Sequence, residues 1–246
     1  MKIKYITCSG ADENTNIPHL LKLMEDYPIG EIGIQISADK AAKEMPRYEW
    51  ILKIAEAISN SKSNINAALH VNKEWVQEFC AGFVAPELDR FLGLKKKNGS
   101  PIFNRVQLNF LIGREKTPSL DKVIETLKLF PKHRFIFSYN VKNASFIKQI
   151  YDKGVVFDNL YDFSFGEGHE PESRGPIVFS DRLQGYAGGL SPDNIYEELD
   201  KINKVVPKDA EIYIDAQRHL EDNEIFNISK ARKFISSALK WQEAHV

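Results

Sequence analysis

From one end of the chain to the other, short runs rich in Ile, Val, Leu, Phe and Tyr take turns with longer stretches whose apolar residues recur at helical spacing. The strand-like runs are 2–7, 32–37, 65–71, 105–110, 134–139, 159–165, 183–187 and 211–215. Helical patterns cover 17–25, 41–60, 74–94, 120–130, 144–153, 192–205 and 228–241. Ser and Thr stand at the expected starts of the helices near 120 and 192, with acids in the first turn. The segment 166–182 lacks helical periodicity and is rich in Gly, Pro, Ser and charge, which predicts a long functional loop. Strands separated by helical crossovers form a parallel sheet. Eight such units, recurring roughly every 25–40 residues, fit an α/β fold of the (β/α)8 barrel type. An open doubly wound sheet is the competing topology, but no G-x-G-x-x-G follows the first strand. No linker or low-complexity segment interrupts the pattern, so 1–246 is expected to be one barrel domain; Lys95-Lys96-Lys97 predicts a solvated loop.

Composition narrows the function classes. The 33 Lys+Arg and 34 Asp+Glu nearly cancel, leaving no basic excess to neutralise nucleic-acid phosphates. No apolar run reaches the ~18 residues that span a bilayer. Met1–Cys8 turns polar too early for a secretory signal, and the expectation is a cytoplasmic protein without membrane or nucleic-acid partners. Cys8 and Cys80 make neither a disulfide framework nor a metal cluster, and Cys80 falls in a helical pattern with Trp75, Phe79 and Phe83, which predicts core. His70, His169 and His219 lack metal-ligand spacing, so no metal site is expected.

Functional residues of such a barrel lie just after the strand C-termini. Those positions hold Cys8-Ser9-Gly10, Arg47, Gln107 and Asn109, Asp162, Gly188-Gly189, Asp215 and Arg218. A carboxyl at a strand end, such as Asp162, serves as an acid when burial keeps it protonated. Asp158 is its rival if the sixth strand begins earlier. Two glycines running into a helix start offer backbone N–H groups to an anion. Arg47 can fork onto a carboxylate, and Gln107, Asn109, Asp215 and Arg218 are further candidates for substrate contact, Gln107 and Asn109 otherwise bonding neighbouring strands and Arg218 otherwise lying on the surface. Cys8 requires a lowered thiol pKa to act as a base, and no adjacent lysine supplies it.

In this arrangement the chain resembles phosphoribosylanthranilate isomerases. Ala187-Gly188-Gly189-Leu190-Ser191-Pro192-Asp193-Asn194-Ile195 looks like that family's phosphate loop after strand seven, and Val106-Gln107-Leu108 its strand-four signature. Cys8 matches the position of the general base and Asp162, before Gly166-Glu167-Gly168, that of the general acid. Pro46-Arg47-Tyr48 resembles the segment whose arginine holds the substrate carboxylate. Ile6-Thr7-Cys8-Ser9-Gly10 departs from the family's Lys-x-Cys-Gly, and Ala216-Gln217-Arg218-His219 lacks the glycine of its second phosphate loop, where Arg218 is the candidate replacement. The resemblance implies a cofactor-independent Amadori rearrangement of a phosphorylated small molecule in tryptophan biosynthesis, by a monomer or homodimer. Two alternatives stay open: a barrel enzyme acting on another phosphorylated or carboxylated molecule, and a barrel that binds a ligand without turnover.

Overall fold

The structure is a computed structural model describing residues 1–38, 45–109, 112, 118–162 and 173–245. Eight strands close into a parallel barrel in sequence order: β1 (Lys2–Ser9), β2 (Gly30–Ile36), β3 (Asn66–Val71), β4 (Arg105–Leu108), β5 (Arg134–Tyr139), β6 (Asp158–Tyr161), β7 (Gln184–Tyr186) and β8 (Glu211–Ala216), with β8 returning to β1. Around it lie α1 (Ile17–Asp26), α2 (Tyr48–Asn60), α3 (Lys73–Cys80), α4 (Pro86–Leu92), α5 (Leu120–Lys128), α6 (Ala144–Asp152), α7 (Ile195–Val205) and α8 (Ile228–His245). The expected (β/α)8 barrel is the observed fold. No helix among the described residues is long and apolar enough to cross a membrane.

Local expectations are corrected in four places. The single helix expected over 74–94 is two, because Pro86, lacking an N–H, opens a new helix at its first turn. Ser119 precedes α5 without a side-chain cap bond. The helix expected from 192 starts at Ile195, and the Ser191 hydroxyl instead accepts the N–H groups of Asp193 and Asn194. After β8, a two-stranded hairpin of β9 (Glu221–Asp222) and β10 (Ile225–Phe226) appears where the pattern gave no strand. Of the expected loop over 166–182, residues 163–172 lie outside the described residues, and 173–182 form neither helix nor strand.

Side-chain alternation divides each strand between two cores. On β1, Tyr5 reaches the Arg105 guanidinium, Thr7 donates to Glu31 and Ser9 donates to Asp215, so these three face the barrel interior. Ile6 and Cys8 alternate with them and belong to the large apolar cluster between strands and helices, with Leu20, Ile235 and Trp241. Cys8 pairs across the sheet with Ile32 and Ala216, both in that cluster. The barrel interior holds a charged plug beside a small apolar cluster of Ile136, Leu160, Ala187 and Tyr213. Arg105, 1% exposed, contacts Glu31 at 2.6 Å and Asp158 at 3.4 Å, and lies 4.5 Å and 4.1 Å from the ring centres of Tyr5 and Tyr213. Arg134 closes on Asp158 at 2.6 Å.

Candidate functional site at the C-terminal mouth

The upper interior of the barrel is polar. Ser9, Gln35, His70, Asn72, Gln107, Asn109, Asp162, Asp215 and Gln217 come from the ends of six strands or the residues just beyond them. Asp215 is the centre of this group. Its Oδ1 accepts the Ser9 hydroxyl at 2.9 Å, and its Oδ2 lies 4.0 Å from His70 Nε2. Burial pushes the Asp215 carboxyl up to about 7; the Ser9 hydrogen bond opposes that, the negative charge of Asp162 adds to it, and Arg105 pulls it back. Asp162, half-buried, follows β6 directly and is therefore at the same end of the barrel. His70 is 2% exposed, and burial brings its ring down to about 4, so it is neutral at physiological pH.

Space for this group is made by Gly33 on β2. A Cβ there would lie 2.1 Å from Ser9 Oγ and 3.1 Å from His70 Cε1 and Nε2. Beside it, side-chain amides join strands. Gln107 donates to Asn109 at 2.7 Å, Asn109 to Asn72 at 2.9 Å, Asn72 to Gln35 at 2.7 Å and Gln35 to Gln217 at 2.9 Å.

The glycine turn after β7 has φ values of 81° at Gly188 and 68° at Gly189, a region that glycine occupies without strain. Its carbonyls are tied down: Arg174 donates to Ala187 O at 2.6 Å and Gly188 O at 2.8 Å, and Asn194 donates to Gly189 O at 2.8 Å. Arg174 is in turn paired with buried Glu198 on α7 at 2.6 Å. With the carbonyls engaged, the N–H groups of Gly188 and Gly189 have no acceptor among the described residues.

Measured against the sequence-based expectations, the structure gathers Asp162, Asp215, Gln107 and Asn109 at one mouth, with the Gly188–Gly189 turn on its rim. It places three residues differently. Cys8 is fully buried on the helix-facing side of β1, and burial together with the Asp215 and Glu31 charges pushes its thiol up, opposite to what a thiolate base needs. The inward position near it belongs to Ser9. Arg47, at the start of α2, has a largely exposed side chain and pairs with Glu13 at 3.2 Å. Arg218 is exposed in a single 3-10 turn, Arg218–Leu220. Asp158 opens β6 at the opposite end and is committed to Arg105 and Arg134, which removes it as the strand-six acid. The sequence reading gives no site role to Ser9, Gln35, His70, Asn72 or Gln217, all polar residues on inward positions at strand ends or just beyond them. Among the described residues, no cluster of three or more His, Cys, Asp or Glu is positioned to hold a metal ion.

Two solved structures share this architecture. Monomers of the dimeric phosphoribosylanthranilate isomerase from Thermotoga maritima superpose with a TM-score of 0.54 at 16% identity, over 97% of this chain and 99% of that one. N-(5'-phosphoribosyl)anthranilate isomerase from Pyrococcus furiosus gives 0.56 at 13% identity, over 96% of this chain and 98% of that one. At these identities the likeness establishes the barrel. The chain matches no protein-family model and no curated protein.

Proposed function

We propose that this barrel is an enzyme that moves protons within a small phosphorylated molecule bound at its C-terminal mouth, an Amadori-type aldose–ketose isomerisation using Asp162 and Asp215. The observation that carries the reading is Asp215: a buried carboxyl held at about 7, bonded to the Ser9 hydroxyl and raised further by the Asp162 charge. A carboxyl poised near the working pH both gives and takes protons readily. The negative charge of Asp162 adds to the burial that keeps the proton on Asp215, so that proton is available for transfer near neutral pH.

The chemistry then needs no cofactor. The pair's proton passes to the ring oxygen of a glycosylamine, the C1–O bond breaks, and the nitrogen lone pair forms a C1=N iminium. The carboxylate left behind removes the C2 proton, whose bonding pair forms C1=C2 and returns the other pair to nitrogen. The enolamine then tautomerises to the aminoketone. Asp215 takes the base role that the resemblance assigns to Cys8, and the Gly188 and Gly189 N–H groups are the phosphate contacts. This is the reaction of phosphoribosylanthranilate isomerase, the tryptophan-pathway step.

The test supplies N-(5'-phosphoribosyl)anthranilate and follows its conversion by the change in anthranilate fluorescence. Conversion by the wild-type protein, slowed about 10²–10⁴-fold in Asp162→Asn and Asp215→Asn, is expected. Growth of a tryptophan auxotroph lacking the isomerase should track the same variants. Tight binding without conversion would overturn the reading in favour of a ligand-binding barrel.

A further inference from the structure

The amides across the mouth form a chain whose direction is fixed at one point by the backbone. The Asn72 side-chain nitrogen lies 2.7 Å from the His70 carbonyl oxygen and 2.7 Å from Gln35 Oε1. A backbone carbonyl only accepts, so the Asn72 amide cannot be turned over. Its Oδ1 must therefore accept from Asn109 Nδ2, at 2.9 Å. On the other side, Gln35 Oε1 is committed to accepting from Asn72, and Gln35 must present Nε2 to its remaining neighbours. Those neighbours are Gln217 Oε1 at 2.9 Å and His70 Nδ1 at 3.4 Å. The two hydrogens of Gln35 Nε2 account for both contacts, and an amide nitrogen has no lone pair to accept with. His70 Nδ1 is thus the bare ring nitrogen, and the ring proton belongs on Nε2, the atom 4.0 Å from Asp215 Oδ2.

We infer that His70 is a positioning residue for Asp215: the amide chain holds it with Nε2–H directed at Oδ2, ready to receive the carboxylate when Asp215 gives up its proton. The two oxygens of Asp215 are then addressed separately, Oδ1 by the Ser9 hydroxyl and Oδ2 by His70. Oδ2 lies 4.0 Å from Nε2, beyond hydrogen-bond length. Once it is ionised, the same ring edge becomes a donor. His70 therefore opposes burial and the Asp162 charge, the influences that hold the proton on Asp215, and acts in the same direction as Ser9 and Arg105. The charged groups acting on His70 itself are Glu31 and Arg105, whose effects oppose each other, so the ring stays neutral through burial. Gly33 supplies the clearance that brings the Nε2 edge to this place.

The inference rests on Asp215 as the proton-transfer group, but its structural half is read without any substrate. Ring 15N shifts of His70 in the full-length labelled protein, followed between about pH 5.5 and 8, report which nitrogen carries the proton. Nε2 protonated and Nδ1 bare throughout is the expected result; Nδ1–H, or a mixture of tautomers, overturns the inference. Gln35→Glu keeps an acceptor for Asn72 and places a second acceptor opposite Nδ1, so Nδ1 should gain a proton; an unchanged ring in a folded variant overturns the chain's role. Should that variant not fold, carboxyl 13C titration of Asp215 decides. Its midpoint moves to higher pH in His70→Phe and partly returns in His70→Gln, whose amide also donates; no movement in His70→Phe overturns the positioning role. A correct tautomer in a protein that converts no phosphoribosylanthranilate would contradict the proposed reaction and leave the His70 geometry standing.

Discussion

Replacing Arg105 by Met tests whether the charged plug holds the barrel together. The guanidinium is 1% exposed and lies 2.6 Å from Glu31 and 3.4 Å from Asp158. Met fills much of the space between the Tyr5 and Tyr213 rings but carries no charge. Asp158 keeps Arg134 at 2.6 Å, so it remains compensated. Glu31, fully buried, keeps only the Thr7 hydroxyl at 2.8 Å, while its Oε2 has no hydrogen-bond partner among the described residues. Breaking one side of a buried ion pair costs about 3–5 kcal/mol, because a charge is left without a partner. For a chain of this size each kcal/mol shifts Tm by roughly 2–4 °C, so Arg105→Met should melt roughly 6–20 °C below wild type. Adding Glu31→Gln should recover much of the loss, since removing both charges leaves no orphan. Thermal and urea unfolding followed by circular dichroism measure all three proteins. A single mutant within ~1 kcal/mol of wild type, or a double mutant no better than the single, would refute the ion-pair reasoning.

Asp215 makes stability depend on pH. Its proton is held more tightly folded than unfolded, so its stabilising contribution is complete below the ordinary aspartate range and is lost as pH rises through about 7. Unfolding free energies of wild type and Asp215→Asn should therefore diverge between about pH 4 and 7, with the variant favoured at the alkaline end; parallel curves would contradict the shift. Cys8, buried against the helix layer, should react with an aromatic disulfide reagent only as the protein unfolds, and Cys8→Ala should leave turnover unchanged. Rapid labelling of Cys8 in the native protein would sink that placement. Gly33→Ala drives a methyl into Ser9 Oγ and the His70 ring, so it should impair turnover more than its loss of stability accounts for. A crystal soaked in sulfate should show an anion on the Gly188 and Gly189 N–H groups; an empty turn at high sulfate would count against phosphate recognition there.

The barrel was legible because apolar strand runs and helical crossovers repeat with the period of a βα unit. Strand 134–139 was located to the residue. The polarity of the site was harder to read, because it depends on which face each strand turns inward. Ending β1 at Thr7 placed Cys8 at the mouth, whereas the strand continues to Ser9, with the thiol facing the helices and the hydroxyl facing Asp215. The cue was present in the alternation of Tyr5, Thr7 and Ser9 with Ile6 and Cys8. Asp162 and Asp215 are visible as strand-end carboxyls, but the action of the Asp162 charge on Asp215 and the burial of Asp215 come from the barrel, where β8 lies between β7 and β1. His70 lacks metal-ligand spacing in the sequence, and its partners come from β2 and β8, which no local pattern joins to β3.

Carboxyl 13C titration of Asp215, in wild type and in Asp162→Asn, addresses the proton-transfer pair most directly. The wild-type midpoint should fall at about 7 and drop when the Asp162 charge is removed, since that charge adds to the effect of burial. A midpoint in the ordinary aspartate range, or one unmoved by Asp162→Asn, would contradict the pair and with it the proposed reaction.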